Sequence, residues 1–144
     1  MSSDDESSAD EIITEEMLWE RIPEVQGAER AETFYELSAR IYARGQYDEA
    51  LALAETARDI YSEMGAGAPL EGLAQAYSAI GYNLNQLHRI EEAANAMTKA
   101  VELLREHKSP MALELACTLG EWLFSSKEYQ KAVECIENCV QEHL

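Results

Sequence analysis

The fold of this chain is decided by residues 77–84, which read Tyr77-Ser78-Ala79-Ile80-Gly81-Tyr82-Asn83-Leu84. An apolar residue is followed three positions later by an aliphatic residue, then directly by a small one, and three positions further by another aliphatic residue. The same spacing occurs twice more, as Phe34-x2-Leu37-Ser38-x2-Ile41 and Ala116-x2-Leu119-Gly120-x2-Leu123. Because apolar residues three and four apart share one face of a helix, each copy predicts an amphipathic α-helix.

A second helix is predicted at a fixed distance after each copy. An alanine lies twelve residues beyond each small residue, at Ala50, Ala93 and Ala132. Small side chains on two successive helices let their backbones approach closely where they cross. The sequence therefore predicts three antiparallel helix pairs, each closed by a short turn, and only the first turn contains a glycine, Gly45.

These residues resemble the tetratricopeptide repeat, in which bulky-x2-Leu-Gly-x2-aromatic precedes Ala-x3-large. Three copies, at about 31–64, 74–107 and 113–144, are similar to this family. Their small residues are 43 and then 39 positions apart, longer than the usual repeat of about 34 residues, which resembles kinesin light chains and bacterial tetratricopeptide regulators. The resemblance implies an all-α fold, a right-handed superhelix of three helix pairs, here with a short N-terminal helix.

The chain is predicted to hold one domain, residues 12–144, behind a disordered tail of residues 1–11 that is rich in Ser and acidic residues. A short helix over 14–22 has Thr14 as its N-cap and ends before Pro23. Its apolar residues favour a cap over the first repeat, with a docking segment for another chain as the alternative. The helix pairs are predicted at 28–44 with 47–63, 69–87 with 90–106, and 110–126 with 129–143.

Charge limits the kinds of partner. The net charge is −17; residues 1–30 carry ten acidic and two basic residues, and residues 31–144 carry eighteen and nine. Nucleic acid and anionic membranes attract basic surfaces, so neither is expected as a partner. A protein partner with a basic or mixed peptide or helix is expected instead. Since no secretory signal is present and the three cysteines form no disulfide framework, a cytoplasmic location is expected.

The resemblance also implies a binding face, because first helices of such repeats usually line the concave side. At the corresponding positions, aromatic residues can anchor a partner's side chains and amides can hold its backbone. The tyrosines among them are equally typical of ordinary family packing. The expected partner-binding residues are Glu32, Tyr35, Tyr42, Ser78, Tyr82, Asn85, Gln86, Glu114, Cys117, Glu121 and Phe124.

A second surface is predicted on the last helix, where apolar residues recur at helical spacing with no following helix to cover them. This stripe favours self-association, including a homodimer; the alternative is that the sequence is part of a longer chain. Its residues are Tyr129, Val133, Ile136, Val140 and Leu144.

Residues for catalysis or metal binding are scarce. Cys135, Cys139 and His143 lie four apart on one helical face, but structural zinc sites take four ligands, and Cys139 occupies a small core position. The sequence holds no Gly-rich phosphate loop and no hydrolase or metalloprotease motif. We therefore expect no metal, no cofactor and no enzyme activity.

Three functions fit these observations. The first is a noncatalytic scaffold, adaptor or regulator that binds a peptide or helix of a partner in the concave groove. The second is a structural homo-oligomer assembled through the last helix. The third is an acidic mimic of nucleic acid that inhibits a DNA-binding protein.

Overall fold

The computed structural model describes residues 12–142, and in this range the chain forms seven α-helices and no strand. A short helix, α1 (Glu15–Arg21), precedes three antiparallel pairs that stack into a right-handed superhelix. This confirms the predicted all-α fold class. The predicted tail of residues 1–11, His143 and Leu144 lie outside the described residues.

The helix pairs follow one another without long connections. The first pair is α2 (Gly27–Ala43) with α3 (Tyr47–Glu63), and the second is α4 (Leu70–Gln86) with α5 (Ile90–Glu106). The third pair is α6 (Met111–Ser125) with α7 (Tyr129–Glu142). Two 3₁₀ turns, Ile22–Glu24 and Gly65–Gly67, connect α1 to α2 and α3 to α4.

The short helix α1 packs against the first pair. The side chain of Thr14 accepts a hydrogen bond from the backbone N–H of Met17 at 3.1 Å, which caps the helix. The side chains of Leu18 and Ile22 are buried against Leu37 and Ile41 of α2. The structure thus agrees with the cap interpretation of this helix.

Each pair crosses at its small residues. In the first pair, the buried Ser38 hydroxyl donates a hydrogen bond to the Ala50 carbonyl at 2.9 Å. In the second, a Cβ placed on Gly81 would lie 3.3 Å from the Ala93 carbonyl oxygen. In the third, a Cβ on Gly120 would lie 2.6 Å from Ile136 Cδ1. At two of the three crossings, then, the neighbouring helix occupies the space that a larger side chain would need.

The turns within the pairs all end their first helix with a left-handed residue, although only one of these is glycine. Gly45, His88 and Lys127 have φ of 80°, 62° and 68°. The residue after each left-handed residue donates its backbone N–H to the carbonyl five positions earlier. In the second pair, for example, the Arg89 N–H donates to the Leu84 carbonyl at 2.9 Å. This is the Schellman arrangement, and its hydrogen bonds keep the turn shape where glycine is absent.

We predict that Gly81→Val lowers the free energy of unfolding by about 1–3 kcal/mol, because the added methyl groups meet Ala93 and Met97 across the crossing. Urea denaturation followed by circular dichroism measures the change. Ala52→Val, at an exposed position of α3, is the matched control and is expected to cost about 0.5 kcal/mol. Equal effects of the two substitutions would contradict the close crossing.

We also predict that His88→Gly raises the free energy of unfolding by about 1 kcal/mol, because a left-handed conformation strains an L side chain and leaves glycine unstrained. His107→Gly is the control: His107 caps α5 with a φ of −82°, so glycine there should destabilise by up to about 1 kcal/mol. The same denaturation experiment measures both. If both variants lose stability, the left-handed conformation does not strain His88.

Candidate functional site

A cavity of about 260 Å³ lies where the first helices of the first two pairs meet. Helices α2 and α4 contact each other directly, although their equivalent positions are 43 residues apart in sequence. We call this cavity the tyrosine pocket. Its lining residues are Tyr35, Ser38, Ala39 and Tyr42 of α2, and Ser78, Ala79, Tyr82 and Asn83 of α4.

The rings of the tyrosine pocket are held by contacts outside it. The Tyr42 ring packs edge-on against Tyr47 with centroids 5.3 Å apart, and the Tyr82 ring packs against Trp122 at 5.6 Å. The Gln86 side-chain amide donates a hydrogen bond to the Tyr42 hydroxyl at 3.3 Å. Aromatic pairs of this geometry stabilise ring positions, so Tyr42 and Tyr82 are each held in place by a neighbouring ring.

The hydroxyls of Tyr35, in the pocket, and Tyr61, outside it, remain protonated at neutral pH. Burial raises the pKa of Tyr35 above its usual value, and the nearby Tyr82 adds to the shift. Burial also raises the pKa of Tyr61, with Glu32 and Tyr35 contributing in the same direction. A raised pKa means that a phenol loses its proton only at higher pH, so these side chains act as neutral hydrogen-bonding groups.

Asn83 is a member of the site that the sequence did not reveal. Its side chain is only 1% exposed, and its Nδ2 donates a hydrogen bond to the Ala79 carbonyl at 2.8 Å. Its Oδ1 has no hydrogen-bond partner and is the one such buried side-chain atom found in residues 12–142. A signal was present: Ala76, Ile80, Asn83 and Leu87 follow one helical row, so an amide interrupts an otherwise apolar stripe.

Acidic side chains lie on the same helix as Tyr35 and just before it. Glu32 precedes Tyr35 by one helical turn and lines a second cavity of about 400 Å³. Three other glutamates and one arginine share that cavity, namely Glu24, Glu29, Glu36 and Arg21. No Lys or Arg lines the tyrosine pocket itself. A positive group would therefore approach the pocket across favourable potential.

Comparison of the sequence with protein-family models and with curated proteins finds no match. Solved structures do match. A Rap protein complexed with competence and sporulation factor superposes with a TM-score of 0.76 at 19% identity, over 88% of this chain and 34% of that chain. The nearly identical TPR-like repeats of a putative kinesin light chain from Podosopora anserina give 0.74 at 19% identity, over 88% and 62%.

Aspartyl phosphate phosphatase F from Bacillus subtilis superposes with a TM-score of 0.72 at 23% identity, over 88% of this chain and 33% of that chain. The chain has the tetratricopeptide-type helical repeat fold. It spans about a third of the Rap and phosphatase chains and 62% of the kinesin light chain repeats. At these identities the likeness concerns the fold alone.

The tetratricopeptide-type stack separates the predicted binding residues into two groups. Tyr35, Tyr42, Ser78 and Tyr82 share the tyrosine pocket, and Gln86 contacts it through Tyr42. Asn85 is half-buried on α4. The residues of the third repeat lie exposed on α6 and do not line this pocket: Glu114, Cys117, Glu121 and Phe124. The Phe124 ring instead packs against Tyr129 at 4.9 Å.

The residues predicted for self-association also differ in their surroundings. Tyr129 and Val133 are each 50% exposed, and Val140 is exposed as well. Ile136 is half-buried, because the end of its side chain occupies the space beside Gly120. Leu144 lies outside the described residues. The exposed part of the predicted stripe therefore consists of Tyr129, Val133 and Val140.

The cysteines show no shared site. Cys139 is buried, with its thiol 3.9 Å from the Ala112 carbonyl, whereas Cys117 is exposed. Burial raises the pKa of the Cys135 thiol to about 11, which keeps it protonated and unreactive at neutral pH. Within residues 12–142, no three His, Cys, Asp or Glu side chains lie close enough together to hold a metal ion.

A larger cavity of about 720 Å³ lies between α5, α6 and α7. Charges of both signs line it, including Glu91, Arg105 and Lys131. It contains none of the residues predicted for partner binding, and its lining includes no buried unpaired side-chain atom. The tyrosine pocket is therefore the stronger candidate site, although it is smaller. Among the described helices, none combines the length and the apolar character needed to cross a membrane.

Proposed function

We propose that this chain is a noncatalytic interaction module that binds a peptide or helix of a partner protein on the face formed by its first helices. The observation that carries the proposal is the tyrosine pocket, in which three half-buried tyrosines from two repeats surround a cavity. Rigid aromatic side chains that are already positioned bind a partner at low entropic cost, and such residues dominate the binding energy of protein interfaces.

The partner segment is proposed to be basic or of mixed charge. The chain carries a net charge of −17, and Glu32, Glu114 and Glu121 are exposed on the first helices. Complementary charge accelerates the encounter of two proteins and disfavours acidic competitors. One structural neighbour is described as complexed with competence and sporulation factor, which supports binding on this type of fold without naming a partner for this chain.

Peptide selection tests the proposal. Random peptides displayed on phage are selected against the full chain, and the affinities of the selected peptides are measured by fluorescence anisotropy. We predict that Tyr42→Ala combined with Tyr82→Ala weakens binding by at least about tenfold, as loss of central aromatic residues does, while helicity by circular dichroism is unchanged.

Trp19→Ala is the control, because Trp19 is an exposed aromatic residue of α1 outside the tyrosine pocket. It is expected to leave affinity unchanged. Peptides that bind the double variant as tightly as the original chain would remove the tyrosine pocket from the function. If Trp19→Ala abolishes binding and the double tyrosine variant does not, the peptides bind to α1 and not in the tyrosine pocket.

Assembly of two copies through α7 is a second candidate, favoured by one observation. The rings of Phe124 and Tyr129 pack on each other and are 63% and 50% exposed, with Val133 one turn further along the helix. Exposed apolar patches of this kind mark association surfaces. Light scattering should then show a dimer that Val133→Glu dissociates; a monomer at all concentrations would reject this candidate.

A further inference from the structure

The side chain of Asn83 has a hydrogen-bond acceptor, Oδ1, that is buried and unpaired. An acceptor held away from water without a partner destabilises the fold, so few such atoms occur in folded proteins and each calls for an explanation, such as a partner that binds there. Asn83 Oδ1 is buried and unpaired in a residue that lines the tyrosine pocket. The missing partner is an N–H or O–H group.

Several donors near the pocket are already committed elsewhere. The Ser38 hydroxyl donates to the Ala50 carbonyl, and the Ser78 hydroxyl donates to the Gln75 carbonyl at 2.8 Å. The Gln86 amide donates to the Tyr42 hydroxyl. No hydroxyl of Tyr35, Tyr42 or Tyr82 bonds this oxygen either, since Asn83 Oδ1 has no hydrogen-bond partner. A donor that enters with a bound ligand would satisfy it.

The charge of that ligand follows from the walls. Tyr35, Tyr42 and Tyr82 supply aromatic rings, and the face of such a ring attracts a cation. The pocket has no basic side chain, and four glutamates, Glu32 among them, line a second cavity on the helix that carries Tyr35 and Tyr42 or just before it. A carboxylate would meet an acceptor and a negative surface, whereas a cation with N–H groups matches both.

Arginine fits better than lysine. A guanidinium is planar, so it can lie against a tyrosine ring while one of its five N–H groups points, within the guanidinium plane, to an acceptor beside the ring. A lysine ammonium is a compact, strongly hydrated charge that loses more solvation when enclosed. The methyl groups of Ala39 and Ala79 offer an apolar wall for the methylene stem of the side chain.

We propose that the tyrosine pocket is an arginine subsite, in which an arginine of the bound partner peptide stacks on the tyrosines and donates a hydrogen bond to Asn83 Oδ1. This inference rests on the proposed function, since it names the chemistry that the same face recognises. It makes Asn83 a specificity-determining residue and identifies the partner by an arginine at one fixed position of its docking segment.

The experiment uses the selected peptides that depend on Tyr42 and Tyr82. Each arginine is replaced in turn by citrulline, which keeps the planar shape and three of the five N–H groups but has a carbonyl oxygen in place of one nitrogen and no charge. Each arginine is also replaced by lysine. At one position, we expect citrulline to weaken binding by at least about tenfold and lysine by about threefold or more, since hydrogen bonds to charged groups are the stronger kind. Both substituted peptides are measured against the unaltered protein, so a folding defect of a protein variant cannot explain a loss of affinity.

The variant Asn83→Leu tests whether the arginine of the peptide binds in the tyrosine pocket. It should weaken the arginine peptide by about tenfold, because the guanidinium N–H loses its acceptor. Asn95→Leu, at an exposed position of α5, is the matched control and should leave affinity unchanged. Equal binding by Asn83→Leu and the original chain would overturn the assignment to this pocket.

Two further outcomes distinguish failure of the arginine subsite from failure of the proposed interaction module. Peptides that need Tyr42 and Tyr82 but tolerate citrulline at every arginine, or contain no arginine, overturn the subsite and leave the interaction module standing. If no selected peptide depends on those tyrosines, the proposed function fails and the subsite fails with it.

Discussion

The close crossing of helices at small residues is the constraint on which this structure depends. The Ser38 hydroxyl reaches the Ala50 carbonyl at 2.9 Å, and Gly81 leaves only 3.3 Å between a hypothetical Cβ and the Ala93 oxygen. Helices pack at a distance set by the side chains between them. We infer that close packing within each helix pair sets the orientation in which the next pair stacks on it. This stacking brings α2 and α4 into contact.

The tyrosine pocket is a consequence of that stacking. Its residues come from two helices whose equivalent positions are 43 residues apart, and no single repeat could form it. The packing of Tyr82 on Trp122 extends the support to the third repeat. The pocket also contains the one unsatisfied buried side-chain acceptor seen in the described part of the chain. Buried polar side-chain atoms without a partner are uncommon in folded proteins.

Much of this arrangement was predictable from sequence. Apolar spacing and small residues predicted the helix pairs, and the resemblance to tetratricopeptide repeats implied that Tyr35, Tyr42 and Tyr82 share one face. Asn83 was not predicted, because the resemblance places the binding positions on the concave rows of α4, whereas Asn83 occupies a buried row. Nor were the left-handed residues at His88 and Lys127, since their backbone conformation is imposed by the hydrogen bonds of the turn rather than by the residue type.

The most direct test of the account is the distance across the crossings, measured by nuclear Overhauser effects in the folded chain. We expect strong effects between the Hα protons of Gly81 and the Met97 methyl group, and between those of Gly120 and the Ile136 δ-methyl group, because these atoms are in contact. If both effects are absent from a chain that is otherwise helical, the pairs do not cross at their small residues, and the stacking that forms the tyrosine pocket has another origin.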